Sequence, residues 1–181
     1  MQISRSPRVN AGSRDAGFTL IELLIVVAII SIIAAIAVPG LMRSRMAGNE
    51  VSARGSLKVV NLAEIQYSSS CGNQGFAVTY PVLGTPPPGS TEAFISADLA
   101  VPAPVKAGYT FTLASGAGAV VGLNDCNGTA TQTSYYATAV PQAFGTSGGY
   151  SYATNTSNTI WQVGAGAAPA EPFGAPATPI Q

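Results

Sequence analysis

Titratable side chains that could act as catalysts are scarce in this sequence. Its 181 residues include eight Lys and Arg, eight Asp and Glu, and no histidine, which is a frequent general base and metal ligand. The charged residues after Glu64 are too few and too scattered to form an acid–base pair: Glu92, Asp98, Lys106, Asp125 and Glu171. A hydrolase with a Ser or Thr nucleophile would lack a visible base. We therefore expect no enzyme, no cofactor and no metal site.

The charge balance also argues against nucleic acid as a partner. The formal net charge is zero, and charged residues make up only 9% of the chain, compared with about 25% in a typical soluble domain. Binding to phosphates requires clustered Lys and Arg, and no such patch lies outside one helical segment. The apolar residues, in contrast, are concentrated near the N-terminus.

One carboxylate lies inside this apolar run. Phe18–Val38 reads FTLIELLIVVAIISIIAAIAV, and Glu22 is its only charged residue. As a helix the run would span about 30 Å, the hydrocarbon thickness of a bilayer, so we predict a transmembrane helix. A secretory signal peptide fits less well, because its apolar part is shorter, about 7–15 residues, and should not tolerate a carboxylate. An uncut N-terminal anchor is a second alternative.

Glu22 needs a partner, because an unpaired charge inside a membrane costs a few kcal/mol or more. Cleavage between Gly17 and Phe18 would create an α-amine one helical turn from Glu22, in the same chain or in a neighbouring one. The helix dipole also favours a carboxylate in the first turn. The alternative is that the Glu22 side chain reaches the membrane surface and remains hydrated there.

The stretch Gly17–Pro39, GFTLIELLIVVAIISIIAAIAVP, resembles the N-terminal signature of type IV pilins and type II secretion pseudopilins. The shared features are a short basic leader, glycine before Phe18, Glu22 four residues later, and a proline that closes the apolar run. The resemblance continues more weakly through Asn49–Tyr67. It implies that a prepilin peptidase/N-methyltransferase removes the leader, residues 1–17, on the cytoplasmic side and methylates the Phe18 amine. It also implies that Glu22 pairs with the Phe18 amine of an adjacent subunit.

The same resemblance implies a function and a location. The chain would be a structural subunit of a type IV pilus, a homo-oligomeric helical filament on the cell surface that serves adhesion or motility. Before assembly, the precursor would cross the bacterial inner membrane once, with its head outside, and would meet the pilus or secretion assembly machinery there. The sequence leaves two alternatives open, a type II secretion pseudopilin and a membrane-anchored binding module that does not polymerise.

The apolar helix, residues 18–40, ends at Pro39 and Gly40, where we expect a kink because proline removes a helix hydrogen bond. An amphipathic helix, residues 41–68, should follow. Its apolar stripe is predicted to pack on a sheet: Met42, Met46, Ala53, Leu57, Val60 and Tyr67. The opposite face is expected to be solvated: Glu50, Arg54, Lys58 and Asn61.

Residues 69–163 have the turn-rich composition of a β-rich globular head. Short β-branched or aromatic runs predict its strands: Gly75–Tyr80, Tyr109–Leu113, Ser134–Val140, Gly149–Ala153 and Thr159–Val163. A short helix around Ser96–Leu99 is also predicted. The fold class is therefore α+β, with a long N-terminal helix packed on a small antiparallel sheet. The tail, residues 164–181, is rich in Gly, Ala and Pro and is expected to be flexible.

Cys71 and Cys126 are the two cysteines of the chain. Outside the cytoplasm they are free to form a disulfide that ties the end of the long helix to the sheet, and two free thiols are the alternative. The absence of a CxxC spacing argues against redox catalysis. The neighbouring stretch Asn124–Gly128 is rich in side-chain oxygens, but its single carboxylate favours a turn held by Asx side chains over a calcium site.

Overall fold

A computed structural model describes residues 17–180 of the chain. The predicted leader lies outside the described residues, apart from its last residue, Gly17. The chain divides into two compact units, residues 1–40 and residues 41–181.

The described part of the first unit consists mainly of the beginning of helix α1, Leu20–Ser70. Apolar side chains surround this part of the helix, and every residue from 17 to 45 is exposed. An α-helix with no polar face has to be buried by a membrane or by other helices. The helical assignment continues through Pro39 and Gly40, so the two helices that the sequence predicted form one continuous element.

In the second unit, α1 buries one face in the core. The predicted stripe is buried from its third member onwards: Ala53, Leu57, Val60 and Tyr67. Met42 is 47% exposed, so the periodicity alone extended the stripe further than the core reaches. Asn61, which was expected on the solvated face, is buried. A buried amide is tolerated where it has hydrogen-bond partners, and Asn61 has them.

Antiparallel strands supply the rest of the core. In chain order they are β1 Val105–Lys106, β2 Tyr109–Ser115, β3 Val121–Asn124, β4 Ala130–Gln132, β5 Tyr135–Pro141, β6 Ser151–Asn155, β7 Ile160–Val163 and β8 Thr178–Ile180. Six of them form a sheet in the order β1-β2-β5-β6-β7-β8, and β3 pairs with β4 in a separate hairpin. The predicted α+β architecture is confirmed.

The alternation of buried and less buried residues along β2 shows which face of the sheet packs on the helix. Tyr109, Phe111 and Leu113 are buried in the same core cluster as Leu57 and Val60 of α1. The residues between them are less buried, as expected for a strand with one face on a core and the other toward solvent.

Two local predictions are wrong. Gly75–Tyr80 is not a strand: Phe76 forms one isolated bridge with Gln132, and the chain then enters the short helix α2, Tyr80–Leu83. The proline at position 81 lies in the first turn of α2, where its missing N–H costs nothing. Ser96–Leu99 forms a single hydrogen-bonded turn in place of a helix, with the Leu99 N–H donating to the Ser96 carbonyl at 3.0 Å.

The segment after β7 has specific partners. Glu171 Oε2 accepts a hydrogen bond from the Ala117 backbone N–H at 2.6 Å, and Oε1 accepts one from the Asn155 amide at 2.5 Å. The ring of Phe173 stacks on Trp161 with centroids 5.4 Å apart, and β8 then pairs with β7. The tail therefore has specific contacts with the rest of the second unit. Its flexibility, which the composition indicated, stays a prediction.

A disulfide joins Cys71, just beyond the last residue of α1, to Cys126 in the loop between β3 and β4. The backbone N–H of Cys126 also donates to the Cys71 carbonyl at 2.8 Å. The bridge therefore fixes the end of the helix to the β3–β4 hairpin, which is not hydrogen-bonded into the main sheet.

Removing this bridge should destabilise the second unit. The two cysteines are 55 residues apart, and closing a loop of that length restricts the unfolded chain by about 4 kcal/mol in the chain-entropy estimate. We expect the Cys71→Ser, Cys126→Ser double variant of the full chain in detergent to unfold at a clearly lower urea concentration than the oxidised wild type. Reduced wild-type chain is the control. An unchanged midpoint in both samples would show that the bridge contributes nothing to stability.

Candidate assembly site

The residues with predicted processing chemistry lie just before α1. Gly17 and Phe18 precede the helix, and the Phe18 side chain is 92% exposed. A Cβ added to Gly17 would have no other atom within 4 Å. Among the described residues, nothing covers the peptide bond between Gly17 and Phe18, so another protein can approach it.

Thr19 and Glu22 cap the beginning of α1 reciprocally. The Thr19 backbone N–H and its Oγ1 hydroxyl donate to Glu22 Oε2 at 2.9 and 2.7 Å. The Glu22 backbone N–H donates back to Thr19 Oγ1 at 3.2 Å. This geometry is a capping box, and its signature is visible in the sequence as Thr-Leu-Ile-Glu. Thr19 was not among the partners predicted for Glu22 from the sequence.

The capping box holds the Glu22 carboxylate at the start of the helix. Both bonds from Thr19 go to Oε2, so Oε1 takes no part in the cap. An α-amine at Phe18 would belong to the residue directly before Thr19. The arrangement can therefore present a fixed negative charge to an amine near the helix start. Pairing of Glu22 with a Phe18 amine stays a prediction.

Behind this charge lies an exposed apolar surface. Large aliphatic side chains of the first unit are 49–77% exposed, for example Leu20 at 75%, Ile36 at 77% and Val38 at 49%. Within residues 17–180, α1 is the helix whose length and composition would allow it to cross a membrane. The surface needs lipid or other apolar helices around it.

In the second unit, a polar network joins the middle of α1 to the sheet. The Asn61 amide donates to Thr154 Oγ1 at 3.1 Å and to the Asn158 carbonyl at 3.2 Å. The Tyr135 hydroxyl donates to Asn61 Oδ1 at 3.0 Å. Burial raises the pKa of Tyr135, so its hydroxyl remains a donor. The network fixes the helix against β5 and β6.

A second polar network lies at the C-terminal end of α1. Asp125 Oδ1 accepts hydrogen bonds from the backbone N–H groups of Asn127 and Thr129 at 2.9 and 2.7 Å, which is the Asx turn that the sequence predicted. Asp125 Oδ2 accepts from the Tyr67 hydroxyl at 2.8 Å. Burial is the largest cause that raises the pKa of Tyr67, and this hydrogen bond is the second. In residues 17–180 no three His, Cys, Asp or Glu side chains come close enough to hold a metal ion.

Glu64 is a buried carboxyl group that the sequence analysis did not single out. Its side chain is fully buried, and Oε2 accepts a hydrogen bond from the Ala77 backbone N–H at 2.9 Å. Oε1 has no hydrogen-bond partner among the described residues. Burial raises the pKa of Glu64 to about 8, and the bond from Ala77 opposes this effect only in part. The group is therefore mostly neutral at pH 7. Because glutamate is usually charged and exposed, the sequence did not predict that Glu64 lies in the core.

Known proteins are similar to this chain at the start of the helix and over a longer part of its length. Residues 12–38 match the family described as the prokaryotic N-terminal methylation motif. The type IV major pilin protein PilA of Myxococcus xanthus is 38% identical over 101 residues, which are 50% of this chain and 46% of that protein. The type IV wide pilus major component PilA4 of Thermus thermophilus is 38% identical over 74 residues, which are 39% of this chain and 56% of that protein.

The similarity to type IV pilins is confirmed. The chain spans about half the length of the curated relatives that it matches. No solved structure matches it significantly. Gly17, Phe18 and Glu22 all lie inside the matched methylation motif, whereas Pro39 and Gly40 lie just beyond its end.

Cleavage should depend on the small size of Gly17. We expect Gly17→Val to block leader removal, so that the intact mass stays that of the full-length chain. Because the space around Gly17 is open in the structure, a loss of cleavage would reflect recognition by the peptidase and not misfolding. Gly48→Val is the matched control, since Gly48 also has no atom within 4 Å of an added Cβ. A mature chain beginning at Phe18 in the Gly17→Val variant would contradict the dependence of cleavage on Gly17.

Proposed function

We propose that this chain is a structural subunit of a type IV pilus, which polymerises through its N-terminal helix into an extracellular filament. The observation that carries the proposal is the match of residues 12–38 to the methylation motif. The matched residues include the beginning of α1, where the apolar side chains are exposed. The two pilin relatives support it, since their names describe a major pilin and a major component of a wide pilus.

Processing comes first in this proposal. A prepilin peptidase cuts between Gly17 and Phe18 on the cytoplasmic side, and N-methylation of Phe18 follows. The exposed Gly17–Phe18 peptide supports this step. The uncut precursor is held in the bacterial inner membrane by the apolar first part of α1, up to residue 40, with residues 41–181 outside.

Assembly follows from the exposed surface of α1. Outside the membrane, the apolar side chains of the first unit can be shielded from water only by other apolar groups. Packing the helix against copies of itself provides these groups and forms a filament with an apolar centre. A contact between different surfaces of identical subunits gives an open fibre when the rotation between neighbours does not close into a ring. Glu22 then pairs with the Phe18 amine of a neighbouring subunit, which removes two unpaired charges from the apolar centre.

The non-enzymatic role is part of the same proposal. Nothing in this scheme needs a catalytic residue of this chain, because the peptidase, the methyltransferase and the assembly machinery supply the chemistry and the energy. The polar networks around Asn61 and Asp125 join α1 to the strands and loops of the second unit. We assign them to the stability of the filament subunit.

Electron microscopy of sheared surface material tests the proposal. A strain lacking the gene is compared with the same strain carrying the wild-type gene, and an antibody against residues 41–181 labels the material. We expect long labelled filaments in the complemented strain and none in the deletion strain. Antibody label confined to the cell envelope would contradict the proposal and favour a pseudopilin or a non-polymerising anchor.

A further inference from the structure

A positively charged recess lies beside the edge of the main sheet. Its volume is about 490 Å³, and it opens between α1 and the ends of β7 and β8. Val51, Ile160 and Ile180 form apolar parts of its wall, whereas Arg54 and Lys58 bring two positive charges to it. All of these residues belong to the second unit.

The charges in the recess have no carboxylate partner in the described chain. The Arg54 guanidinium lies over the Tyr152 ring, 6.0 Å from its centroid, and its buried Nε has no acceptor among the described residues. Glu50, one turn earlier on α1, accepts a hydrogen bond from the Gly149 N–H at 2.8 Å and forms no ion pair with Arg54. Lys58 is exposed. The recess thus carries two cations and an apolar wall, a surface that suits a carboxylate on a protein.

Most carboxylates of residues 41–180 are already engaged. Glu64 is buried, and four others accept hydrogen bonds within the chain: Glu50, Asp98, Asp125 and Glu171. Glu92 differs, because it is exposed and its carboxylate has no hydrogen bond or ion pair among the described residues.

We propose that the recess binds Glu92 of a second copy of this chain. This inference rests on the proposed function, because a filament brings many copies of the chain into contact. It pairs the two cations of the recess, Arg54 and Lys58, with the exposed carboxylate of Glu92. Charge complementarity of this kind sets register and partner choice between subunits.

The two surfaces lie at different places on the second unit. The recess adjoins β8, one edge strand of the sheet. The loop that contains Glu92 is tied to β1, the opposite edge strand, by the ion pair between Asp98 and Lys106 at 2.7 Å. Phe94 of this loop packs against Tyr67, nine residues along α1 from Lys58, which is about 13 Å of helix rise. Glu92 therefore reaches the recess of a neighbour more readily than its own, and such a contact extends a fibre.

Charge reversal and restoration test the pairing. Lys58→Glu and Glu92→Lys are each expected to lower the fibre protein in the sheared fraction at least about tenfold, because like charges then face each other at every contact. The double variant should restore fibres to near the wild-type amount. Both residues are exposed, so folding should not suffer, and the membrane level of each variant checks this. Gln66→Glu, an exposed position on α1 outside the recess, is the control and should assemble normally.

A cross-link gives a second, independent readout. A chain carrying both Lys58→Cys and Glu92→Cys should form a ladder of oxidised multimers in sheared fibres, whereas each single variant should remain monomeric. Normal fibres from both charge-reversal variants, or an absent ladder, would overturn the pairing while leaving the pilus proposal intact. Absence of fibres from the wild-type chain would instead overturn the proposed function, and this inference with it.

Discussion

Replacing Glu22 with leucine is expected to stop fibre formation while the chain remains in the membrane. Leucine keeps α1 apolar, so insertion should be normal, but it removes the charge that a Phe18 amine would meet in the filament. An unpaired amine in an apolar surrounding costs several kcal/mol, and 1.4 kcal/mol corresponds to a factor of ten. We therefore expect the sheared fibre protein to fall at least about tenfold, with an unchanged amount in the membrane fraction.

A second substitution separates the charge of Glu22 from its capping role. The capping box with Thr19 works with glutamine as well as with glutamate, so Glu22→Gln preserves the cap and removes only the charge. If the carboxylate pairs with an amine, both variants lose fibres. Full assembly of Glu22→Gln would show that the residue only caps the helix. Ser31→Leu, which removes a polar side chain further along the apolar segment, is the control and should assemble.

Replacing Glu64 with glutamine is expected to remove most of the loss of stability that the wild type suffers between pH 5 and 9. The pKa of Glu64 is raised by burial from its ordinary 4.5 to about 8. Between these values the folded chain holds a proton that the unfolded chain has lost, so stability falls as the pH rises. The decrease is about 1.4 kcal/mol per pH unit, about 5 kcal/mol in all, and it levels off above the folded pKa.

Glutamine resembles the protonated carboxyl group and keeps an acceptor for the Ala77 N–H, so Glu64→Gln should lack this pH dependence. Tyr67, Tyr80 and Tyr135 interact electrostatically with Glu64, and their raised pKa values keep them neutral over this range. Urea unfolding of the full chain in detergent at pH 5, 7 and 9 measures the effect, and the exposed Glu92→Gln serves as control. Parallel pH profiles of wild type and Glu64→Gln would contradict a neutral, buried Glu64.

The general plan of the molecule could be predicted because it depends on long, strongly patterned segments. In the apolar run from Phe18 and in the stripe from Ala53 to Tyr67, the need to bury apolar side chains recurs over several helical turns. The central strand around Phe111 follows the same logic with a period of two. For these elements, burial and periodicity agree.

The details that could not be predicted depend on single contacts between distant residues. Glu171 and Phe173 connect the tail to the rest of the second unit through one carboxylate and one ring. No pattern in the neighbouring sequence predicts either contact. Glu64 and Asn61 lie in the core because partners from other elements satisfy at least one of their polar atoms. The capping box of Thr19 and Glu22, in contrast, has a local sequence signature, Thr-Leu-Ile-Glu, and was predictable.

The intact mass of the chain in shear-released surface material, measured beside that in membranes, is the decisive test of a surface pilus subunit. We expect the sheared fraction to contain a chain that begins at Phe18 and carries one added methyl group. The membrane fraction should contain the same processed chain, with some uncut precursor. Uncut chain in both fractions, or processed chain confined to membranes, would contradict the account of this chain as a surface pilus subunit.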